Sequence, residues 1–79
     1  MKEKELTGRI LLKNGFKESE NEVMKDGKLF LYYNYLEGRW SVWLLGIDGK
    51  RERHLGFCRT VEKFNDMLKR NNIDKEIKV

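Results

Sequence analysis

The sequence predicts a small α+β domain: an antiparallel sheet of three or four strands, a short N-terminal helix and a longer C-terminal helix. Two observations support this prediction. The pairs Asp26-Gly27, Glu37-Gly38 and Asp48-Gly49 separate runs of strand length, and such dipeptides favour the tight turns of hairpins. After Thr60 the apolar residues recur every three or four positions, which is typical of an amphipathic helix. The expected order is α-β-β-β-α, with one extra edge strand as an option.

The first predicted helix spans residues 6–16. Thr7 is a suitable N-cap because its hydroxyl can accept a hydrogen bond from the first turn. Gly15 can adopt the left-handed conformation that closes a helix. Leu6 and residues 10–12 supply the apolar side. The polar residues 17–22 are expected to connect this helix to the sheet.

Four segments are predicted to pair as a meander, namely residues 23–25, 28–35, 39–46 and 51–58. A sheet with one buried face alternates apolar with polar residues. Here Leu29, Leu31 and Tyr33 share one face, while Phe30 and Tyr32 lie on the other. The strand at 39–46 repeats this pattern. One face therefore meets the domain's own helix, and the other needs a different cover: solvent, a second copy or a ligand.

The C-terminal helix is predicted to begin after the N-cap Thr60. Its apolar side comprises Val61, Phe64, Met67 and Leu68. The residues after it, 73–79, are compatible with either a short edge strand or a packed tail. The expected core is Leu11, Leu12, Phe16, Leu31, Val42, Leu44, Leu55, Phe57, Phe64 and Leu68.

Length and composition predict one domain, 1–79, because the 79 residues are few and include no proline, repeat or low-complexity tract that would indicate a linker. The net charge is +4, but along the chain the basic residues are interleaved with Asp and Glu. This interleaving indicates an ordinary solvated surface, since nucleic-acid binders usually cluster Lys and Arg on one face. No signal peptide or membrane-spanning run is evident, so a cytoplasmic location is expected.

No catalytic residue, metal site or cofactor is predicted, and we expect a protein that is not an enzyme and has no evident small-molecule substrate. The single histidine is His54 and the single cysteine is Cys58. On a regular strand they would share a face at a separation of roughly 13 Å. A nucleophile and its base must approach to about 3 Å. Cys58 is therefore expected to be a small buried residue.

Binding is the predicted function. The leading hypothesis is a non-enzymatic interaction module that uses the aromatic second face of the sheet to contact a protein partner or a second copy. The alternative is a nucleic-acid-binding accessory protein, because aromatic rings beside cationic side chains can stack unpaired bases. The candidate contact residues are Tyr32, Trp43, Arg51, Arg53 and His54.

Several segments also resemble small proteins carried by phages and mobile elements of gut bacteria. The resemblance lies in Leu6-Thr7-Gly8, Leu12-Lys13-Asn14-Gly15-Phe16, Arg53-His54-Leu55-Gly56 and residues 68–77. It implies a stand-alone protein of this size, associated with a phage or mobile element. It brings no catalytic or binding residue with it, since no activity is assigned to those proteins.

Overall fold

A computed structural model describes residues 3–20 and 23–79. It confirms the α+β class with an antiparallel meander sheet and a C-terminal helix. Helix α1 spans Gly8–Lys13 and helix α2 spans Val61–Arg70. Between them lie five strands: β1 at Lys17–Glu18, β2 at Val23–Asp26, β3 at Leu29–Asn34, β4 at Arg39–Leu45 and β5 at Arg51–Cys58.

The strands follow one another in the sheet in the order β1-β2-β3-β4-β5, and each neighbouring pair is antiparallel. The sheet has one strand more than the four segments that the sequence predicts. The additional strand is β1, which lies in the segment predicted to be a connector. It has only two residues and pairs Lys17 with Lys25. Gly27 turns the β2–β3 hairpin with a φ of 58°, a conformation that glycine adopts without steric cost.

The helix caps agree with the prediction. Thr7 accepts a hydrogen bond from the Ile10 amide at 3.2 Å, and Thr60 accepts one from the Lys63 amide at 3.1 Å. Both helices also end in the same way. After α1, Gly15 has a φ of 92°, and after α2, Asn72 has a φ of 58°. These left-handed residues reverse the chain and close each last turn.

The helices cover one face of the sheet, which we call the inner face. Helix α2 buries Val61, Phe64, Met67 and Leu68 against it. The most deeply buried side chains join both helices to the central strands, namely Phe64, Leu11, Leu31, Leu68 and Val42. Trp40 is also buried, and its indole Nε1–H donates to the Leu6 carbonyl at 2.9 Å.

Residues 73–79 form a packed tail and not a strand. Ile77 is buried in the core. The Asn65 side chain accepts from the Ile77 amide at 2.7 Å and donates to its carbonyl at 3.1 Å. Asn14 makes the corresponding pair of hydrogen bonds with the backbone of Lys78, each at 2.8 Å. Two asparagines thus fix the tail beside the helices.

Two residues of the expected core lie at the surface. Leu12 is 49% exposed because the short helix α1 turns only Leu11 fully inwards. Phe57 is 44% exposed, and the cause is a β-bulge. Val42 pairs with Gly56 while Trp43 pairs with His54, so that the intervening Leu55 has no partner.

The bulge reverses the inward–outward alternation of the side chains that follow it in β5. Beyond a bulge, each later side chain points to the face opposite the one that regular alternation gives. Phe57 therefore leaves the core and Cys58 enters it. His54 and Cys58 lie on opposite faces, so the expectation that they share a face is wrong.

Candidate functional site

The sheet surface opposite the helices, which we call the outer face, is covered by no element of the described chain. Register and alternation place two rows of side chains on it. One row runs Lys25, Phe30, Trp43 and His54, and the other runs Val23, Tyr32, Ser41 and Phe57. Around these rows lie Lys17, Asn34, Arg39, Leu45 and Arg51.

The aromatic side chains of the outer face contact one another across the strands. The His54 ring centroid lies 4.5 Å from that of Trp43 and 4.8 Å from that of Phe57. The Ser41 hydroxyl and His54 Nε2 are hydrogen-bonded at 3.0 Å, which fixes the imidazole between the two rings. Tyr32 and Phe57 are each 44% exposed, so the surface presents aromatic area to solvent.

Cationic side chains lie over these rings. The Arg39 guanidinium carbon is 3.6 Å from the Phe57 ring centroid. The Arg51 guanidinium carbon is 5.0 Å from Trp43 and 5.8 Å from Phe30, and Lys25 Nζ is 5.7 Å from Phe30. Such contacts hold the cations against electron-rich ring faces.

The charges of the outer face all have one sign within the described part of the chain. Its four charged side chains there are Lys17, Lys25, Arg39 and Arg51. Removing these four from the 17 basic residues of the chain leaves as many basic as acidic residues, 13 of each. The outer face thus carries more positive charge than the chain average. A nearby carboxylate, Glu37 in the β3–β4 turn, pairs with Arg39 at 2.9 Å.

The structure brings together four of the five predicted contact residues. Tyr32, Trp43, Arg51 and His54 lie on the outer face. Arg53 does not join them, because it points to the helix side and its guanidinium donates to Asn71 Oδ1 at the end of α2.

Sequence reasoning missed Phe57, which it placed in the core, and the contributions of Lys17 and Lys25 to the contact surface. A signal for Phe57 was present: an isolated glycine inside a strand, here Gly56, often marks a bulge. The basic residues give no such signal, because they are separated along the chain and meet only when the strands pair.

Other reactive groups do not form a second site. Burial raises the pKa of the Cys58 thiol to about 12 by desolvation of the thiolate, so this side chain is a protonated, unreactive thiol at neutral pH. Residues 3–20 and 23–79 contain no group of three or more potential metal-ligating side chains. In the same part of the chain, no helix has the length and apolar composition to cross a membrane.

Comparisons with protein families, curated proteins and solved structures find no match for this chain. The resemblance to phage and mobile-element proteins therefore stays a prediction from the motifs themselves. Any functional proposal must come from the geometry of the outer face.

Proposed function

We propose that this protein is a small non-enzymatic interaction module, an accessory protein of a phage or mobile element, that binds an acidic protein partner through its outer face. The observation that supports this proposal most strongly is the combination of exposed rings with four basic side chains, of which one, Arg39, is paired with a carboxylate, Glu37. Aromatic residues and arginine are the side chains that contribute most to binding energy at protein interfaces. Here both types lie on one rigid sheet.

The charge pattern argues against a face-to-face dimer. A second copy packed on this face would bring Lys17, Lys25 and Arg51 of both copies together, and these three form no salt bridge within the described residues, whereas Arg39 pairs with Glu37. Like charges across an interface cost several kcal/mol when no acid compensates them. A partner with acidic groups instead gains from the same charges. Aspartate or glutamate beside apolar side chains is the composition that complements this surface.

A single-stranded nucleic acid is the second candidate, and one observation favours it. The outer face carries rings in two adjacent rows with cations above and beside them. Each base that stacks on such a ring contributes about 1–3 kcal/mol of binding free energy, and the phosphates neutralise the cations. The two candidates share the surface and differ in how binding responds to salt.

The experiment uses two probes, a mixed-sequence single-stranded oligonucleotide and a peptide in which Asp and Glu alternate with Leu and Phe. Binding is followed by amide chemical shifts. We expect the peptide to shift residues of β3, β4 and β5 on the outer face. Arg51→Ala should weaken binding about 2- to 5-fold, which corresponds to the loss of one exposed charge contact.

Arg53→Ala is the matched control. Arg53 is two residues away on β5 but faces the helix side, because a second register shift, between Leu44 and Leu45, separates it from Arg51. It should leave the affinity unchanged. Oligonucleotide binding that falls steeply between about 50 and 200 mM salt would establish the second candidate. Two results would overturn the proposal. One is self-association in sedimentation that depends on Trp43, and the other is an equal loss of peptide affinity in Arg51→Ala and Arg53→Ala.

A further inference from the structure

A second aromatic surface lies on the opposite side of the sheet from the outer face. Tyr33, Tyr35 and Trp40 line a cleft of about 360 Å³ beside the start of α1. The Tyr33 ring centroid lies 5.0 Å from that of Tyr35, with an interplanar angle of 81°. It lies 5.1 Å from that of Trp40, with an angle of 63°. The rings therefore form adjoining walls and not a flat stack.

The remaining walls of the cleft combine apolar and acidic side chains with the neutral residues Thr7 and Gly8 at the start of α1. Leu6 and Met24 add buried apolar surface, and the carboxylates of Glu5 and Glu18 come from the N-terminal segment and from β1. No lysine, arginine or histidine lines the cleft among the described residues. Within residues 3–20 and 23–79, neither carboxylate forms a salt bridge.

The two aromatic surfaces of this protein thus differ in their electrostatics. On the outer face the rings of Phe30, Trp43 and Phe57 already have cationic side chains above them. In the described part of the chain, no cation lies over Tyr33, Tyr35 or Trp40. Ring faces carry negative potential, and the two carboxylates add to it. The charged side chains that line the cleft are therefore both negative, whereas those on the strands of the outer face are positive.

We propose that the cleft binds a quaternary ammonium group. The exposed ring of Tyr35 and the half-buried ring of Tyr33 can stabilise such a group by cation–π attraction. Trp40, Leu6 and Met24 are buried and form the apolar base of the cleft beneath them. A primary ammonium would lose hydrogen bonds to water on entering apolar surroundings. A quaternary ammonium has no N–H groups and so avoids that loss. The inference does not depend on the function proposed for the outer face.

Trp40 is the natural reporter. Trp43→Phe removes the other tryptophan of the chain from the outer face and leaves Trp40 as the only indole. We expect choline to produce a saturable change in Trp40 fluorescence. Its neutral carbon analogue, 3,3-dimethylbutan-1-ol, should bind about 10-fold more weakly, since it has the same shape without the charge. In the wild-type protein, the Trp40 indole N–H resonance gives the same readout.

Tyr35→Ala removes one wall of the cleft and should weaken choline binding about 2- to 30-fold. Tyr35 is 69% exposed, so this variant is expected to fold. Tyr32→Ala on the outer face is the matched control and should have no effect. A peptide with trimethyllysine, compared with its unmodified form, distinguishes a methylated protein from a free small molecule as the source of the group.

Three results would overturn the proposal. Equal binding of choline and its neutral analogue would identify a merely apolar cleft. The absence of any saturable change with choline and with the trimethyllysine peptide would exclude the site. Unchanged choline affinity in Tyr35→Ala would show that the rings do not form it.

Discussion

Gly56 determines which side chains reach the outer face, and its replacement by alanine tests this directly. Gly56 has a φ of 140°, a conformation that residues with a Cβ rarely adopt. A Cβ added there would also lie 3.3 Å from the Met67 Cε atom of α2. The backbone strain costs about 1–3 kcal/mol. The flexible Met67 terminus can move by a few tenths of an ångström, so it adds little.

We therefore expect Gly56→Ala to lower the free energy of unfolding by about 1–3 kcal/mol. A domain of this length has a total stability of roughly 4–12 kcal/mol, so the variant remains folded and measurable. Urea unfolding followed by tryptophan fluorescence gives the difference. Two other glycines separate its causes.

Gly15→Ala isolates the backbone contribution, because Gly15 has a φ of 92° and open space where a Cβ would lie. Its expected cost is about 1–2 kcal/mol. Gly8→Ala has open space and no positive φ, so it should leave stability unchanged or raise it slightly. If Gly56→Ala were as harmless as Gly8→Ala, the bulge would not depend on glycine, and our explanation of the reversed alternation in β5 would be wrong.

Three further predictions concern burial. The free energy of unfolding should fall as pH rises above about 9 towards 12, because the Cys58 thiol ionises in the unfolded chain while the buried thiol stays protonated. Urea unfolding at several pH values measures this, and the fall should be smaller in Cys58→Ala. Leu11→Ala should lower the free energy of unfolding by about 2–5 kcal/mol and Leu12→Ala by under about 1 kcal/mol, since only Leu11 is fully buried. Equal losses in thermal unfolding would contradict the orientation of α1 that points Leu11 into the core. Ile77→Ala should cost about 2–4 kcal/mol, and a loss below about 0.5 kcal/mol in urea unfolding would mean that the tail does not pack in solution.

The sequence determined the class of the fold through local physical chemistry. Acid–glycine pairs determine the turns, and two threonines determine where the helices start. Before α2, the spacing of apolar residues changes from every second position to nearly every fourth, and this marks the boundary between sheet and helix. Each signal acts within a few residues, so it can be read along the chain. The bounds of β5, 51–58, agree with the prediction for the same reason.

The tertiary structure alone decided the chemistry of the two surfaces. The bulge between Val42 and Trp43 turned Phe57 outwards and Cys58 inwards. Strand pairing collected Lys17, Arg39 and Arg51 on one face, although their charges are interleaved with acids along the chain. Register and packing are properties of residues that are distant in sequence. Local patterns therefore determined where the strands and helices form. Only their assembly brought these basic side chains together on the outer face.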